Sequence, residues 1–576
     1  MYENSIEEIQ NASNPDYSLF GNFCDFLYRK MSTSTPTGIV KHNVNVWEGG
    51  KDENLLTLDK LSDDCEDRIA KVFAGRTIFI TGGTGFLGKV LVEKLLRCCP
   101  DIKKIYLLIR SKKGKDPQQR IKDTLSNELF DMVKEQRGVK AIEETVLAIA
   151  GDVLENELGI SEKDRKLLAD EVSIIYHCAA TVRFDEPLRR AVFLNTRGTQ
   201  YALNLAKECK KLDLFIYVST SYCHLHVKEL FEMPYDPPAD PHKVIQTCEW
   251  LTDNEINEIT PQILGDYPNS YAYTKALAEH LVVETFDQLP TSIVRPSIVI
   301  PIYYEPISGW TDNINGPTGL LIGAGKGVIR TMYCNSSGYG DFLPVDIAVN
   351  GMLVSSWHNL KEGKVLTRVA HMTSSSEIKV SWDEIINLGR WVIENRIPLN
   401  GVAWYPGGSM KSNYILHYIS MILFHWIPAI FVDCLLYILG YPPVLCRVQR
   451  RITKGFEVFE YYANRTWKFD NGEAVKIRRE MNKIERQKYV IEKFELDLVK
   501  YFENCTLCAR RYILKEPDDT IPAARKHMRI MYVIDKFCKI AFIIFLLYML
   551  YSRIFSRFLF RGEPGSIFKS IDKNIV

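Results

Sequence analysis

From Gly75 onward the chain alternates short apolar runs with longer stretches in which apolar residues return every three or four positions. The runs are Thr77-Ile78-Phe79-Ile80, Ile105-Tyr106-Leu107-Leu108-Ile109, Val146-Leu147-Ala148-Ile149-Ala150, Val172 to Cys178 and Leu214-Phe215-Ile216-Tyr217-Val218. All are rich in β-branched or aromatic residues and predict buried strands. Between them lie helical patterns such as Lys89-Val90-Leu91-Val92-Glu93-Lys94-Leu95-Leu96, and a helix from Leu188 that contains Asn195. Strands and helices alternating in this way predict an α/β fold with a parallel, doubly wound sheet. Before about residue 70 the pattern fails. Residues 1–70 are mostly polar, with an aromatic cluster from Tyr17 to Tyr28 and a Ser/Thr/Pro stretch from Ser32 to Thr37, and predict a partly disordered leader.

Composition narrows the classes. The 576 residues leave room for one large domain and a second. Lys and Arg number 72 against 71 Asp and Glu, so no charge excess draws nucleic acid to the chain. Of the 14 cysteines, Cys98 and Cys99 are adjacent and Cys505 and Cys508 form the one close-spaced pair. No second such pair or nearby His completes a zinc site, and no metal is expected. The start, Met1-Tyr2-Glu3-Asn4-Ser5, is polar and has no apolar core of a signal peptide, which predicts reduced thiols facing the cytosol.

The first strand runs into Thr81-Gly82-Gly83-Thr84-Gly85-Phe86-Leu87-Gly88 and then a helix. Gly82, Gly85 and Gly88 in a strand–turn–helix let a dinucleotide pyrophosphate approach bare backbone N–H groups at the positive end of the helix. Thr84, Phe86 and Leu87 belong to the same turn. The second strand ends in Arg110-Ser111-Lys112-Lys113, with no acid to accept from the 2′-hydroxyl of NAD. Cations there suit a 2′-phosphate and favour NADPH, with Arg110 as the candidate ligand. Asp152, after the third strand, is placed either to receive the adenine amino group or to cap a helix.

After the fifth strand come Ser219-Thr220-Ser221 and then Tyr271-Ala272-Tyr273-Thr274-Lys275. Tyr271 and Lys275, four residues apart, share one helix face. A free tyrosine titrates near pH 10, and an adjacent ammonium favours its phenolate. The glycine turn, Val218 to Ser221, Tyr271 and Lys275 fall in the order of the extended short-chain dehydrogenases/reductases, which residues 75–300 resemble. That resemblance implies a Rossmann-like sheet, Tyr271 as the acid/base and Lys275 as its tuner and a ribose ligand. It assigns the substrate-holding hydroxyl to Ser221 or Thr220, with Ser221 favoured.

Further along, Arg295-Pro296-Ser297-Ile298-Val299 leads to Gly309-Trp310-Thr311-Asp312-Asn313-Ile314-Asn315-Gly316-Pro317-Thr318-Gly319 and Gly323-Ala324-Gly325-Lys326-Gly327. The last stretch is no P-loop, since Gly327 stands where Ser or Thr is required, and reads as a loop shaping a substrate pocket. These segments, Phe342-Leu343-Pro344-Val345-Asp346, His425-Trp426-Ile427-Pro428-Ala429, and Asp433 ahead of Gly440-Tyr441-Pro442-Pro443 are similar to the fatty acyl-CoA reductases. The resemblance spans roughly 75–515. It implies NADPH-dependent reduction of long-chain fatty acyl-CoA through an aldehyde to the primary alcohol, with Tyr271 and Ser221 stabilising the oxyanion. The alternatives are a steroid or nucleotide-sugar dehydrogenase/epimerase, or a non-catalytic membrane scaffold.

Ser412 to Val432 carries no Asp, Glu, Lys or Arg, and apolar character continues to Leu445. Its Pro428, His417, His425 and Asp433 point to a kinked or hairpin element, either a buried helix pair or a membrane contact. Ile540 to Tyr551, flanked by Lys539 and Arg553, predicts a membrane anchor. The expected organisation is a leader at 1–70, a reductase domain at 71–400, a mainly helical C-terminal region at 401–515 and an anchor and tail at 516–576. The expected partners are acyl-CoA and membrane lipid. The expected location is the endoplasmic reticulum or peroxisome membrane, with the catalytic domain in the cytosol.

Overall fold

A computed structural model describes residues 66–560, except 112–113, 115, 315 and 492–496, and gives the helical backbone alone over 554–560. The leader through residue 65, Lys112, Lys113, Asn315 and the tail from Arg561 lie outside the described residues.

The runs of alternating apolar residues become one parallel sheet. Its strands are β1 (Thr77–Thr81), β2 (Lys104–Ile109), β3 (Val146–Ala150), β4 (Ile174–His177), β5 (Leu214–Val218), β6 (Thr291–Pro296) and β7 (Val369–Met372). Their order is 3-2-1-4-5-6-7, with every neighbouring pair parallel. Successive side chains of a strand point to opposite faces. Ile78 and Ile80 accordingly enter one core, and Phe79 the other. Four helices cover the faces: α1 (Phe86–Cys98), α2 (188–208), α3 (Ser270–Val283) and α4 (Val345–Leu360). Val90, Leu91 and Leu95 of α1 and Met352 and Leu353 of α4 fill the first core, and Leu203 of α2 and Leu277 of α3 the second.

Strand order reverses between β1 and β4, and in such sheets the crevice beyond the carboxyl ends at that point receives the ligand. The sixth strand stops at Pro296, and Ile298–Ile300 pairs instead with Phe342–Pro344. The seventh strand, with its buried His371, has no counterpart in the sequence reading.

The C-terminal region is mainly helical, with α5 (Trp382–Asn395), α6 (Tyr414–Ile438), α7 (Leu445–Ala463), α8 (Leu498–Cys508) and α9 (Ile521–Phe560). Within α6 a π turn spans Ile422–Trp426, just before Pro428. Proline lacks an N–H and crowds the carbonyl one turn back, and the extra residue in the wider turn absorbs both. Gly440, at φ 83°, and Pro442-Pro443 then reverse the chain into α7. The first N–H groups of α7 need acceptors, and the Asp433 carboxylate takes those of Val444 (3.0 Å), Leu445 (2.8 Å) and Cys446 (2.8 Å). The result is a hairpin. Among the described residues α6 is the one helix long and apolar enough to cross a membrane. The apolar stretch from Ile540 to Tyr551 is a fully exposed part of α9.

The C-terminal region packs directly on the sheet domain. Glu485 receives the Arg68 guanidinium at 2.9 and 2.7 Å, and Asn350 on α4 donates to the Val490 carbonyl at 2.8 Å.

Gly88 marks the tightest contact around the crevice. A Cβ there would lie 2.2 Å from Gly82 O and 2.7 Å from Gly83 Cα, both backbone atoms. Gly88→Ala should therefore destabilise the protein by about 3 kcal/mol, at the upper end of overpacking costs. A thermal melt of the purified variant checks this, and an unchanged midpoint would count against the close packing of turn and helix.

Candidate active site

The glycine turn leaves the carboxyl end of β1 with Gly82 at φ 73°, a conformation suited to glycine. A Cβ on Gly82 would sit 2.8 Å from the Ala179 nitrogen, so the loops after β1 and β4 touch backbone to backbone. Gly85 differs. It is exposed, and a Cβ there would meet only Gly82 O, at 3.2 Å. No side chain caps the first turn of α1, and no acid lies in it. Thr84, Phe86 and Leu87 are half-buried around this opening. A turn with one open glycine, above uncapped N–H groups at a helix N-terminus, fits a dinucleotide pyrophosphate.

Arg110 ends β2 with its side chain 45% exposed, and its guanidinium lies 4.0 Å from the Asp152 carboxylate. The other Asp152 oxygen accepts from Leu154 N at 3.1 Å, which accounts for part of this carboxylate as a turn former. Arg110 and Asp152 thus flank the adjacent ends of β2 and β3.

His177, at the end of β4, is fully buried between two hydroxyls. Its Nδ1 lies 2.8 Å from Thr81 Oγ1 and its Nε2 3.1 Å from Thr199 Oγ1. Burial, helped by the Lys275 charge, lowers its pKa to about 3, so the ring is neutral. Asn195 sits in a π turn of α2. It accepts from Thr181 N at 2.9 Å and donates to Thr274 Oγ1 on α3 at 2.9 Å, fixing the loop after β4 to the helix that carries Tyr271.

On α3, Tyr271 and Lys275 share one face as their spacing predicts. Lys275 is buried and donates from Nζ to the Val218 carbonyl at 2.7 Å, with the Tyr217 ring 4.7 Å away. Burial lowers its pKa to about 8. Tyr271 hydrogen-bonds to Thr220 and meets the Phe184 ring edge-on at 5.5 Å. The Ser221 hydroxyl turns away and donates to the Arg295 carbonyl at 2.7 Å. Consecutive residues at a strand end point in opposite directions, so only one of Thr220 and Ser221 can face Tyr271. In this structure it is Thr220, while Ser221, the residue favoured from the resemblance, faces the Arg295 carbonyl. The sequence reading also has the ammonium favouring the phenolate. Here burial raises the Tyr271 pKa and the Thr220 hydrogen bond only partly opposes it, while Lys275 is directed at the Val218 carbonyl. Tyr271 is a neutral phenol, the form that can give up a proton.

Behind this pair lies a network that spacing alone does not reveal. Glu279, one turn beyond Lys275, accepts from Arg295 Nε (2.9 Å) and Nη2 (2.6 Å), from Cys223 Sγ (3.1 Å) and from His224 Nε2 (3.2 Å). Burial opposes its ionisation, but the Arg295 guanidinium with His224 outweighs that and holds the carboxyl well below its ordinary range. Cys223, His224 and Glu279 bring ligand atoms within 4.8 Å of one another, as a metal site does. The bidentate guanidinium already occupies both carboxylate oxygens and repels a cation, so this cluster is an ion-pair network. Tyr462 of α7 also reaches the site, accepting from Asn269 Nδ2 at 2.9 Å with its ring 5.6 Å from Phe184.

An apolar cavity with about 1170 Å³ of open space lies beyond β6 and β7, between the helix Pro317–Gly325, α5 and α8. Ile300, Leu321, Phe342, Gly389, Tyr501 and Phe502 are among its walls. The helix Pro317–Gly325 supplies Pro317, Thr318, Leu321 and Ile322, whereas Gly323 to Gly327, read as a pocket-shaping loop, form the end of that helix and the turn after it and are not among the walls. Cys505 faces the same cavity, and Cys508 Sγ lies 3.4 Å from the Ser308 carbonyl.

Removing one partner of a buried ion pair strands the other. Glu279→Gln should cost about 3–5 kcal/mol and lower the unfolding midpoint in denaturant, and a loss under about 1 kcal/mol would contradict the dry pairing with Arg295.

Comparisons with known proteins bear on the family. Two segments, 80–352 and 424–516, match families described as male sterility protein. Fatty acyl-CoA reductase 1 of Mus musculus is 37% identical over 462 residues, covering 80% of this chain and 89% of that protein, and the Homo sapiens protein matches to the same extent. Fatty acyl-CoA reductase 2 of Bos taurus is 37% identical over 463 residues, again covering 80% and 89%. Among solved structures, the terminal R domain of the myxalamid PKS-NRPS pathway superposes with a TM-score of 0.51 at 22% identity, over 77% of this chain and 93% of that one. The R domain of a nonribosomal peptide synthetase from Mycobacterium tuberculosis gives 0.50 at 18% identity, over 80% and 98%. These two show the fold, and the family matched over 80–352, an NAD-binding one, gives this chain a nicotinamide cofactor. The identity and coverage of the reductase relatives decide among the enzyme classes that the sequence left open: this chain belongs to the fatty acyl-CoA reductases.

Proposed function

We propose that the protein reduces long-chain fatty acyl-CoA to the primary alcohol with NADPH, at a site formed by Tyr271, Thr220 and Lys275. The observation that carries this reading is the neutral Tyr271–Thr220 hydroxyl pair, set one strand away from the chain that lines the apolar cavity. Ser221 N donates to Pro296 O at 3.0 Å, which lays the Thr220 segment beside the run 297–301 leading into the cavity wall.

Gly82, Thr84, Gly85, Phe86, Leu87 and Gly88 would hold the nicotinamide cofactor, which would supply the hydride for each of two reductions. The preference for the 2′-phosphate form is supported by Arg110 at the end of β2, where no acid is present, with Asp152 on the adenine side. Lys275, bonded to the end of β5, is placed to position the ribose. In the first reduction the Tyr271 and Thr220 hydroxyls donate to the thioester oxygen as negative charge builds on it. The thiohemiacetal oxyanion, held by these two hydroxyls, re-forms its C=O bond as the C–S bond breaks, and coenzyme A leaves as the thiolate, giving the aldehyde. In the second, Tyr271 transfers its proton to the alkoxide oxygen and the alcohol forms. Ser221, bonded to Arg295 O, positions the loop rather than the substrate.

The cavity supports a long acyl chain, because its walls are apolar along their length, from Ile300 and Leu321 to Tyr501 and Phe502. The reductase core at 71–400 and the helical region at 401–515 then share the substrate, since α5 comes from one and α8 from the other. The exposed apolar part of α9, within 516–576, serves as the anchor that holds the catalytic domain at the cytosolic face of an endoplasmic reticulum or peroxisome membrane.

The test uses membranes expressing the full chain, given NADPH or NADH and acyl-CoAs of several lengths, with products identified by mass spectrometry. Wild type should make alcohol with NADPH. Tyr271→Phe should lose about 10²–10⁴-fold in rate, and Thr220→Val should lose more than Ser221→Ala. Aldehyde as the end product would remove the second step, and equal rates with NADH would remove the 2′-phosphate assignment.

Gly389 offers a test of the chain-binding role. A Cβ there would lie 2.9 Å from Leu321 Cδ2 and 3.5 Å from Phe502 Cε1, both side chains of the cavity wall. Gly389→Leu should shift the alcohols toward shorter chains while short acyl-CoAs turn over at near wild-type rate. A uniform loss at every length would place the chain elsewhere.

A further inference from the structure

The polar and apolar residues of α6 are arranged inside out. His417, His425 and Asp433 are buried against the protein, and the other side of the helix is exposed hydrocarbon. His417 Nδ1 lies 3.2 Å from Thr331 Oγ1, and His425 Nε2 accepts from Arg330 N at 2.8 Å. Asp433 holds the start of α7. The π turn Ile422–Trp426, which contains His425, adds one residue, and both histidines lie on the face that meets the strand Thr331–Tyr333 and Phe456 of α7. Opposite them, Ile415, Ile419, Leu423, Phe424, Ile430 and Phe431 are each between 46 and 68% exposed.

A helix that crosses a bilayer meets lipid around its middle or is covered there by other spanning elements. The inner side of α6 instead lies along its whole length on a domain whose return helix α7 exposes Arg447, Arg450 and Lys454. Carrying α6 across would draw those charges into hydrocarbon. A second apolar surface begins at the same place. Arg330, whose backbone N–H holds His425, pairs through its guanidinium with the buried Asp535 of α9 at 3.5 Å. Beyond Asp535, α9 exposes Phe542, Phe545 and Leu547. Two unpartnered apolar helix faces thus leave the body from one residue, with exposed cations on α7 to meet anionic headgroups.

We infer that α6 does not span the membrane but lies along it, with its outer face in one leaflet and its buried polar edge on the protein. The occupant of that face is the lipid surface. The inference does not depend on the chemistry assigned to the active site, and its test reads depth in lipid instead of turnover.

The full-length protein is reconstituted into phosphatidylcholine–phosphatidylserine vesicles, with a fluorescent amino acid placed singly at Ile415, Leu423, Phe431 or Ile438. Lipids brominated at shallow or deep acyl carbons serve as quenchers, and a label at Tyr548 of α9 reports that the protein has inserted. All four α6 labels should be quenched to a similar extent, and more by shallow than by deep bromines. Deepest quenching at Leu423 with shallow ends, the pattern of a crossing helix, overturns the inference. So does quenching at Tyr548 with none on α6, which would mean water or a second copy of the chain at that face. As a second readout, Phe424→Lys combined with Phe431→Lys should keep its detergent activity and lose roughly tenfold on acyl-CoA presented in vesicles. Equal activity in both also overturns it.

Discussion

The guanidinium of Arg295 is withdrawn from water, so each of its five N–H groups requires an acceptor inside the protein. All five find one. Nε and one Nη2 hydrogen go to Glu279, the second Nη2 hydrogen to Met233 O at 3.1 Å, and the Nη1 pair to Phe231 O at 3.3 Å and His371 Nε2 at 3.1 Å. Those acceptors come from α3, from the loop after β5 and from β7. Because Arg295 can only donate, His371 Nε2 carries no hydrogen, and its Nδ1–H goes to the Asp470 carbonyl at 2.6 Å. Burial, together with Arg295, lowers the His371 pKa to about 3, which keeps that ring neutral. One buried cation therefore orders the catalytic helix, the edge of the sheet and the C-terminal region together.

Such an arrangement explains why the C-terminal region is continuous with the reductase domain. Asp470 ends the chain of bonds that begins at Glu279, one turn from Lys275. Phe184 meets the Tyr271 ring and is itself backed by Tyr462, and α5 and α8 close the apolar cavity. A low dielectric around Tyr271 raises its pKa and keeps the proton on the phenol. A reduction consumes a proton at the substrate oxygen, so this direction suits alcohol formation. Excluding water also strengthens the two hydroxyl contacts where oxyanion charge develops.

What the sequence made legible was local. The glycine turn, five strands and the Tyr271–Lys275 pair each rest on contacts within one strand–helix unit, where spacing determines which side chains share a face. The choice between Thr220 and Ser221 depended on a single-residue alternation at a strand end, and it is the bond from Ser221 to Arg295 O that favours Thr220. Arg295 was visible as part of a motif, but its partners lie up to 76 positions away, so nothing in the spacing announced it as buried. The seventh strand escaped because a four-residue segment with a histidine at its third position lacks a strand's apolar signature. In α6, length and apolarity were plain, but the sides taken by His417, His425 and Asp433 depend on the π turn and on what lies beneath.

The substrate itself accounts for the remaining organisation. Acyl-CoA joins a charged nucleotide to a hydrocarbon chain, and the thioester to be reduced lies at the junction. A protein acting there needs a wet crevice for a dinucleotide and an apolar cavity for a chain, meeting at one pair of hydroxyls. It also gains from resting on the phase in which the chain and the product alcohol dissolve. The sheet ends supply the crevice, α5 and α8 the cavity, and α6 and α9 the exposed apolar faces proposed to meet lipid. Arg330 joins those two faces through His425 and Asp535, and its strand neighbours Thr331 and Met332 run alongside the strand Ser409–Lys411 that leads into α6. If those faces meet lipid as proposed, the orientation of the active site toward the membrane follows from packing rather than from the length of a tether.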